Sequence, residues 1–228
     1  MKIETIREYS IRCLILIIAL FLCGIGVTLV RISCLGMEPF TAVCYTYSRI
    51  FHCPMGYMTI GINAVIIIFS IVFVSYLLGP GTIIAMAGLG YACDFWSWIM
   101  SKVIGWNEIF TGFEHLHVRL IFFLIGLLFM VIPTAFVLAA DIGINPYDTV
   151  GYIVEKKSKG KIKFKTARVV QDSIVVIITF AGAKHIGMQW QVIGIGTVLL
   201  AFFVGPLLSF IKEKIAEPFI HIICEKLY

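Results

Sequence analysis

The chain has 228 residues, 60% of them hydrophobic and only 14% charged, with a mean hydropathy of +1.00. An ordinary soluble domain is nearer half apolar and a quarter charged; this composition excludes one, and several apolar runs of about twenty residues make the chain a polytopic helical membrane protein. The formal net charge of +5 is no nucleic-acid signal, because the basic excess is concentrated between Lys156 and Arg168.

Met1 to Arg12 is a short polar start carrying Lys2, Arg7 and Arg12. Cys13 to about Ile32 is the first span; it is too long for the apolar core of a cleavable signal and lacks a small-residue cleavage site. A break follows at Leu35–Val43, reading L-G-M-E-P-F-T-A-V, and Pro39 opens a short helix to about Phe51. Tyr57 to Leu78 is a long span with Asn63 inside it. Gly79-Pro80-Gly81 is a turn, and Thr82 to about Met100 is the next span, with Asp94, Trp96 and Trp98 at its interfacial end. Ser101 to Val118 joins the halves; its His115-x-His117 lacks a third ligand at metal-binding spacing.

Arg119 opens the second half as Arg12 opens the first. Leu120 to Ala140 is a span with Pro133 inside, where a kink is expected. The second break, Ile142–Val150, reads I-G-I-N-P-Y-D-T-V, and Pro146 starts a short helix to about Val154. Six lysines and Arg168 then crowd one loop. Val169 to about Ala183 and Val192 to Ile211 are the last spans, and Lys212 to Tyr228 reads as an amphipathic tail on the membrane surface. The seven cysteines are scattered, with no CxxC pair, and read as small buried hydrophobes.

The two breaks organise this order. Gly costs a helix about 1 kcal/mol and Pro about 3 kcal/mol, so each Gly-x-x-Pro interrupts a helix at membrane depth. The freed backbone groups must then be satisfied by protein or by a water-filled cavity. Arg12 maps onto Arg119 and the first Gly-x-x-Pro-aromatic break onto the second at one common offset; Gly81-Thr82 maps onto Gly196-Thr197 at a slightly longer one, the difference being absorbed by the basic loop. The expected fold is an all-α membrane bundle of two repeats, each with three long spans and one short Pro-initiated helix. The expected divisions are residues 1–104, a loop at 105–118, 119–211, and a cytoplasmic tail at 212–228. If the short helices cross, the repeats are parallel; if they re-enter, the repeats are inverted. The distribution of Lys and Arg prefers the parallel arrangement, and both put the Lys-rich loop in the cytoplasm, where anionic lipid is its natural partner.

The residues with chemistry sit at or just after the breaks. Asp148 lies in the first turn of the second short helix, where a carboxylate is favoured by the helix dipole. Asn145 can cap the same helix, and Glu38 is its first-half counterpart. Arg168 and Asp172 are spaced to pair on one helix face. Paired helix breaks in two halves point to a transporter-like site. Glu38, Pro39, Asn145, Pro146, Asp148, Arg168 and Asp172 are its candidate residues, with the helix starts favouring an anionic group and the carboxylates a proton or cation. No hydrolase elbow, phosphate loop or zinc pair occurs, so neither an enzyme nor a cofactor is expected.

The two breaks, together with Arg168…Asp172, Gly194-Ile195-Gly196-Thr197 and Gly205-Pro206, resemble those of the YczE/YyaS/YitT-type bacterial membrane proteins over about residues 10–212. The first copy departs from that pattern, with Glu38 before the Pro and Thr41 where an Asp is common. The resemblance implies a bacterial inner-membrane protein with no recognised cofactor, and it implies architecture more than activity. Two functions stay open: a small permease-like transporter of a small molecule or ion, and an accessory or scaffold protein serving a membrane partner, with a homodimer compatible with either.

Overall fold

The computed structural model describes residues 6–103 and 116–225. The expected inter-repeat loop falls largely outside them, with Glu114 and His115; His117 lies at the exposed start of a helix. The described residues form a membrane helical bundle without strands. In order, the helices are α1 (Ile6–Ile32), α2 (Pro39–Ile50), α3 (Met55–Val74), α4 (Pro80–Trp98), α5 (Leu116–Ala140), α6 (Pro146–Lys157), α7 (Phe164–His185), the single turn α8 (Gln189–Val192), α9 (Ile195–Ile211) and α10 (Glu217–Glu225). The segments Glu8–Ile32, Met55–Leu77, Pro80–Lys102, Leu116–Ala140 and Thr166–His185 are long and apolar enough to cross a membrane. α9, with 17 residues, is slightly shorter.

Helix directions follow from a few contacts. Arg12, near the start of α1, donates from Nη1 to Ala140 O at the end of α5, at 2.8 Å. Arg119, near the start of α5, donates from Nε to Ser33 O at 2.8 Å and from Nη2 to Cys34 O at 2.6 Å, just past the end of α1. The two helices therefore run antiparallel. They approach closely enough that a Cβ at Gly26 would collide with the backbone of Phe129 and Met130, the contact that small residues permit between membrane helices. α4 runs parallel to α1: Gly88 faces Leu20, Ala92 faces Gly24, and Met100 joins Leu29 and Ile32 in one cluster. α3 runs antiparallel to α4, with Thr59 against Gly90 and Asn63 Nδ2 donating to Met86 O at 3.3 Å.

α3 thus begins on the face of the bundle where α1 ended, and α2 between them carries the chain across nothing. The same holds for α6. α7 ends beside the tip of α2, where Gly182 faces Thr46 and Ile50, so it started on the face where α5 finished. Twelve residues span about 18 Å, little over half of a ~30 Å hydrocarbon layer. Each short helix returns the chain to the face of the bundle it came from, and α5 runs opposite to α1. The preference of the basic residues for a parallel arrangement is corrected here: Arg119 opens α5 on the face where α1 ends, held there by the Ser33 and Cys34 carbonyls.

Backbone angles recur at matching positions of the two halves. Gly36 and Gly143 have φ of +120° and +133°, Cys34 and Asp141 of 51° and 52°, and His52 and Lys159 of 50° and 53°; the three pairs share the offset that relates Arg12 to Arg119. Each break docks on the other half's last membrane helix. Gly81 N–H donates to Ile142 O at 3.0 Å, and Gly196 N–H donates to Leu35 O at 2.6 Å. A Cβ at Gly36 would meet Thr197 Oγ1 at 2.5 Å, and one at Gly143 would meet Thr82 Oγ1 at 2.6 Å. Positive φ and crowding together make glycine necessary at both. Polar backbone freed by each break is satisfied across the bundle, as a lipid surround requires.

Three boundaries differ from expectation. α6 continues to Lys157, so Lys156 and Lys157 are helical; Lys156 Nζ donates to Phe73 O at 2.6 Å, and the Lys157 ammonium lies 4.0 Å from the Phe73 ring. α7 starts at Phe164, which takes Arg168 out of the basic loop and into the bundle. The tail does not simply lie on a surface: in α10 Ile220 is buried and Phe219 packs edge-on against Phe136 of α5. Pro133 sits within α5, which stays one helix from Leu116 to Ala140.

Candidate functional site

Each short helix is capped by the residue before its proline. The Glu38 side chain accepts from Thr41 N–H at 3.0 Å and caps α2; the Asn145 side chain accepts from Tyr147 N–H at 3.3 Å and caps α6. Pro39 and Pro146 occupy the first turns, where a missing N–H is harmless. The two starts meet. Phe40 and Tyr147, the aromatic residues that follow the two prolines, pack with ring centroids 4.7 Å from each other.

Arg168 reaches this junction from the first turns of α7. Its Nη1 pairs with the Asp148 carboxylate, its Nε with Asp172 at 3.2 Å, and its Nη2 lies 3.8 Å from Glu38 Oε1. The guanidinium carbon lies 4.5 Å from the centroid of the Tyr147 ring, a cation–π distance. Tyr147 OH donates to Asp172 Oδ1 at 2.7 Å, and Gln171 Nε2 donates to Tyr147 O at 2.9 Å. The four charged side chains are each about a quarter exposed, between 23% and 25%.

Three carboxylates surround one guanidinium, a formal balance of −2. A carboxylate at membrane depth costs about 2.5–3.5 kcal/mol on insertion scales. A charge pair at 4 Å in an effective dielectric of ~20 attracts by about 4 kcal/mol. One arginine attracts all three carboxylates, but the carboxylates repel one another at comparable strength, so the arginine alone does not offset three, and the remainder rests on helix dipoles, hydrogen bonds and partial solvent access. The helix starts do not wait for an external anion, because Glu38 caps one and Asp148 sits in the first turn of the other.

All seven sequence candidates thus stand at or beside the junction: Glu38, Asp148, Arg168 and Asp172 as the charged cluster, Pro39 and Pro146 as the helix starts, and Asn145 next to Pro146. Asn145 serves as a cap. Sequence reasoning misses Tyr147 and Phe40 as site residues, although both occupy the aromatic position of the repeated break. Asp94, expected as an interfacial acid, accepts from Met55 N–H at 3.0 Å and Gly56 N–H at 2.7 Å and so caps α3. Among the described residues no group of three or more His, Cys, Asp or Glu side chains is placed to hold a metal ion.

A family model described as a family of unknown function, DUF6198, matches residues 10–213. Two Bacillus subtilis (strain 168) proteins are similar. One is the uncharacterized protein YyaS, 26% identical over 206 residues, covering 89% of this chain and 93% of the relative. The other is the uncharacterized membrane protein YczE, 25% identical over 210 residues, covering 92% and 87%. No solved structure matches.

Proposed function

The chain belongs to the DUF6198 family, which brings no activity with it, and we propose from the geometry that it is a small permease-like membrane protein rather than an enzyme. The observation that carries this reading is the meeting of two re-entrant half-helices from oppositely directed halves at Glu38, Asp148, Asp172 and Arg168. Internal duplication with opposed halves suits alternating access, because the same movement can open the junction to either face. The excess of carboxylates suits a cation or protons as cargo or coupling ion. The start of α1, the Lys-rich loop and α10 lie on one face, which this reading assigns to the cytoplasm of a bacterial cell by the positive-inside rule. Lys159, Lys161 and Lys163 are exposed there and are placed to meet anionic lipid.

One observation favours the second reading, an accessory protein that transports nothing: Arg168, Asp148 and Asp172 already satisfy one another, as a structural knot would. Purified protein reconstituted in proteoliposomes and assayed for uptake of a metabolite and ion panel separates the two. Saturable uptake that Asp148→Asn abolishes supports the permease. Co-purification of a stoichiometric membrane partner, with no uptake of any solute, supports the accessory role.

A further inference from the structure

We propose that the first half of the chain carries an uncharged counterpart of the charged cluster, where Asn63 holds one buried water molecule. This site is independent of the permease reading. α3 and α7 match position by position. Met55 opens one and Phe164 the other. Ser70 Oγ donates to Ile66 O at 2.9 Å and Thr179 Oγ1 to Val175 O at 2.7 Å, and both residues are fully buried. Phe73 lies under the Lys157 ammonium of α6, and Gly182 faces Ile50 of α2. These pairs share one spacing in sequence. The same spacing carries Arg168 onto Thr59 and Asp172 onto Asn63, while the spacing of the two breaks carries Tyr147 onto Phe40 and Asp148 onto Thr41. Every charged residue that the second half supplies to the cluster thus has a neutral counterpart, and Tyr147 has one without its hydroxyl.

The counterparts are buried, with Thr59 at 2% and Asn63 at 1% exposure, against 25% for Arg168 and 23% for Asp172. α4 covers them: Gly90 packs on Thr59, and Met86 O accepts from Asn63 Nδ2 at 3.3 Å. The missing hydroxyl has a consequence. In the second half Tyr147 OH donates to Asp172 Oδ1 at 2.7 Å. In the first half, among the described residues, none donates to Asn63 Oδ1. A buried acceptor is costly to leave unmatched, and interiors commonly satisfy one through an ordered water with two or more polar partners. Thr59 supplies the second partner. It stands one turn before Asn63 on the same helix face, and its hydroxyl, which donates to Met55 O at 2.9 Å, keeps a lone pair. A water between the two side chains donates to both. What the first half lacks relative to the second is one hydroxyl, and a water is the donor of that size.

The test is water-edited solid-state NMR of the full-length protein in phosphatidylcholine liposomes, with asparagine labelled on its side-chain nitrogen. The chain has asparagine only at Asn63, Asn107 and Asn145, so the signals can be assigned by single substitutions. Magnetisation should pass from water to the Asn63 amide despite its burial. Phe40→Tyr, which supplies the hydroxyl found in the second half, should remove that transfer. Thermal unfolding in detergent gives a second measurement. The effect of Phe40→Tyr should be more favourable by about 2–4 °C with Asn63 present than in the Asn63→Leu background, where the new hydroxyl has no acceptor. No transfer from water to Asn63 in the wild type, transfer undiminished in Phe40→Tyr, or equal effects of Phe40→Tyr in the two backgrounds would each overturn the proposal. If Phe40→Tyr does not fold, the wild-type transfer decides alone.

Discussion

The half-helices α2 and α6 have the same length, the same proline start and the same flanking left-handed residues, yet they sit in the bundle differently. α2 reads P-F-T-A-V-C-Y-T-Y-S-R-I and is buried from Pro39 to Thr46 and again at Ser48. α6 reads P-Y-D-T-V-G-Y-I-V-E-K-K, and only Pro146, Tyr147, Thr149 and Gly151 are buried. The charged side chains that the two half-helices bring to the junction are nonetheless equally exposed, Glu38 at 23% and Asp148 at 24%. On the permease reading proposed above, a shared backbone angle pattern with unequal burial is what one conformer of an alternating pair should look like.

The largest effect should follow from removing the residue that ties both half-helices together. Arg168→Gln leaves three part-buried carboxylates uncompensated. Breaking a buried ion pair from one side costs up to about 3–5 kcal/mol, and partial exposure here puts the expected loss near about 2–3 kcal/mol. Denaturation in detergent measures it, and adding Asp148→Asn to Arg168→Gln should restore part of the loss.

Next come the hinge glycines. Gly36→Ala and Gly143→Ala should each cost about 1–3 kcal/mol and by similar amounts, because their φ angles and their crowding by Thr197 and Thr82 match. Unequal losses in the same denaturation assay would break the equivalence of the two frames.

The carboxylates should separate the halves. Asp148→Asn should lower stability or ligand response more than Glu38→Gln, whose partner is 3.8 Å away; the Glu38 variant should cost under about 1 kcal/mol, as a loosely held pair does.

The gentlest probe reads the difference in burial itself. In a chain freed of native cysteines, Glu155→Cys should label with a membrane-impermeant maleimide, and Ser48→Cys, at the matching position of α2, should not. Ser48 is 4% exposed and Glu155 is only partly buried. Equal labelling would remove the difference in burial between the two half-helices.

Much of this architecture is legible in the sequence. The spans follow from apolar runs of membrane length, and the breaks from Gly and Pro, whose effects are local. Glu38, Asn145 and Asp148 stand out because caps and first turns are local as well, and the Arg168–Asp172 pair because a spacing of one helical turn brings two side chains onto one face. Tyr147 belongs to the repeated motif but gains its chemistry only from Arg168 lying over its ring. Counting basic residues misreads the direction of the second half, because it ignores which of them are drawn inward. Arg12 is almost fully buried, and Arg119 is tied to two carbonyls.

By itself the sequence determined an all-helical membrane bundle with two interrupted spans and charged residues beside each interruption, since hydropathy, helix breaking and capping all act within a few residues. Only the tertiary structure decided that the short helices turn back, that each break is held by the other half's Gly-Thr helix, and that Glu38 of the first half meets Arg168 of the second at 3.8 Å. Those outcomes depend on how deep each break sits and on which carbonyls and carboxylates it finds there, and burial and pairing across the bundle set that depth.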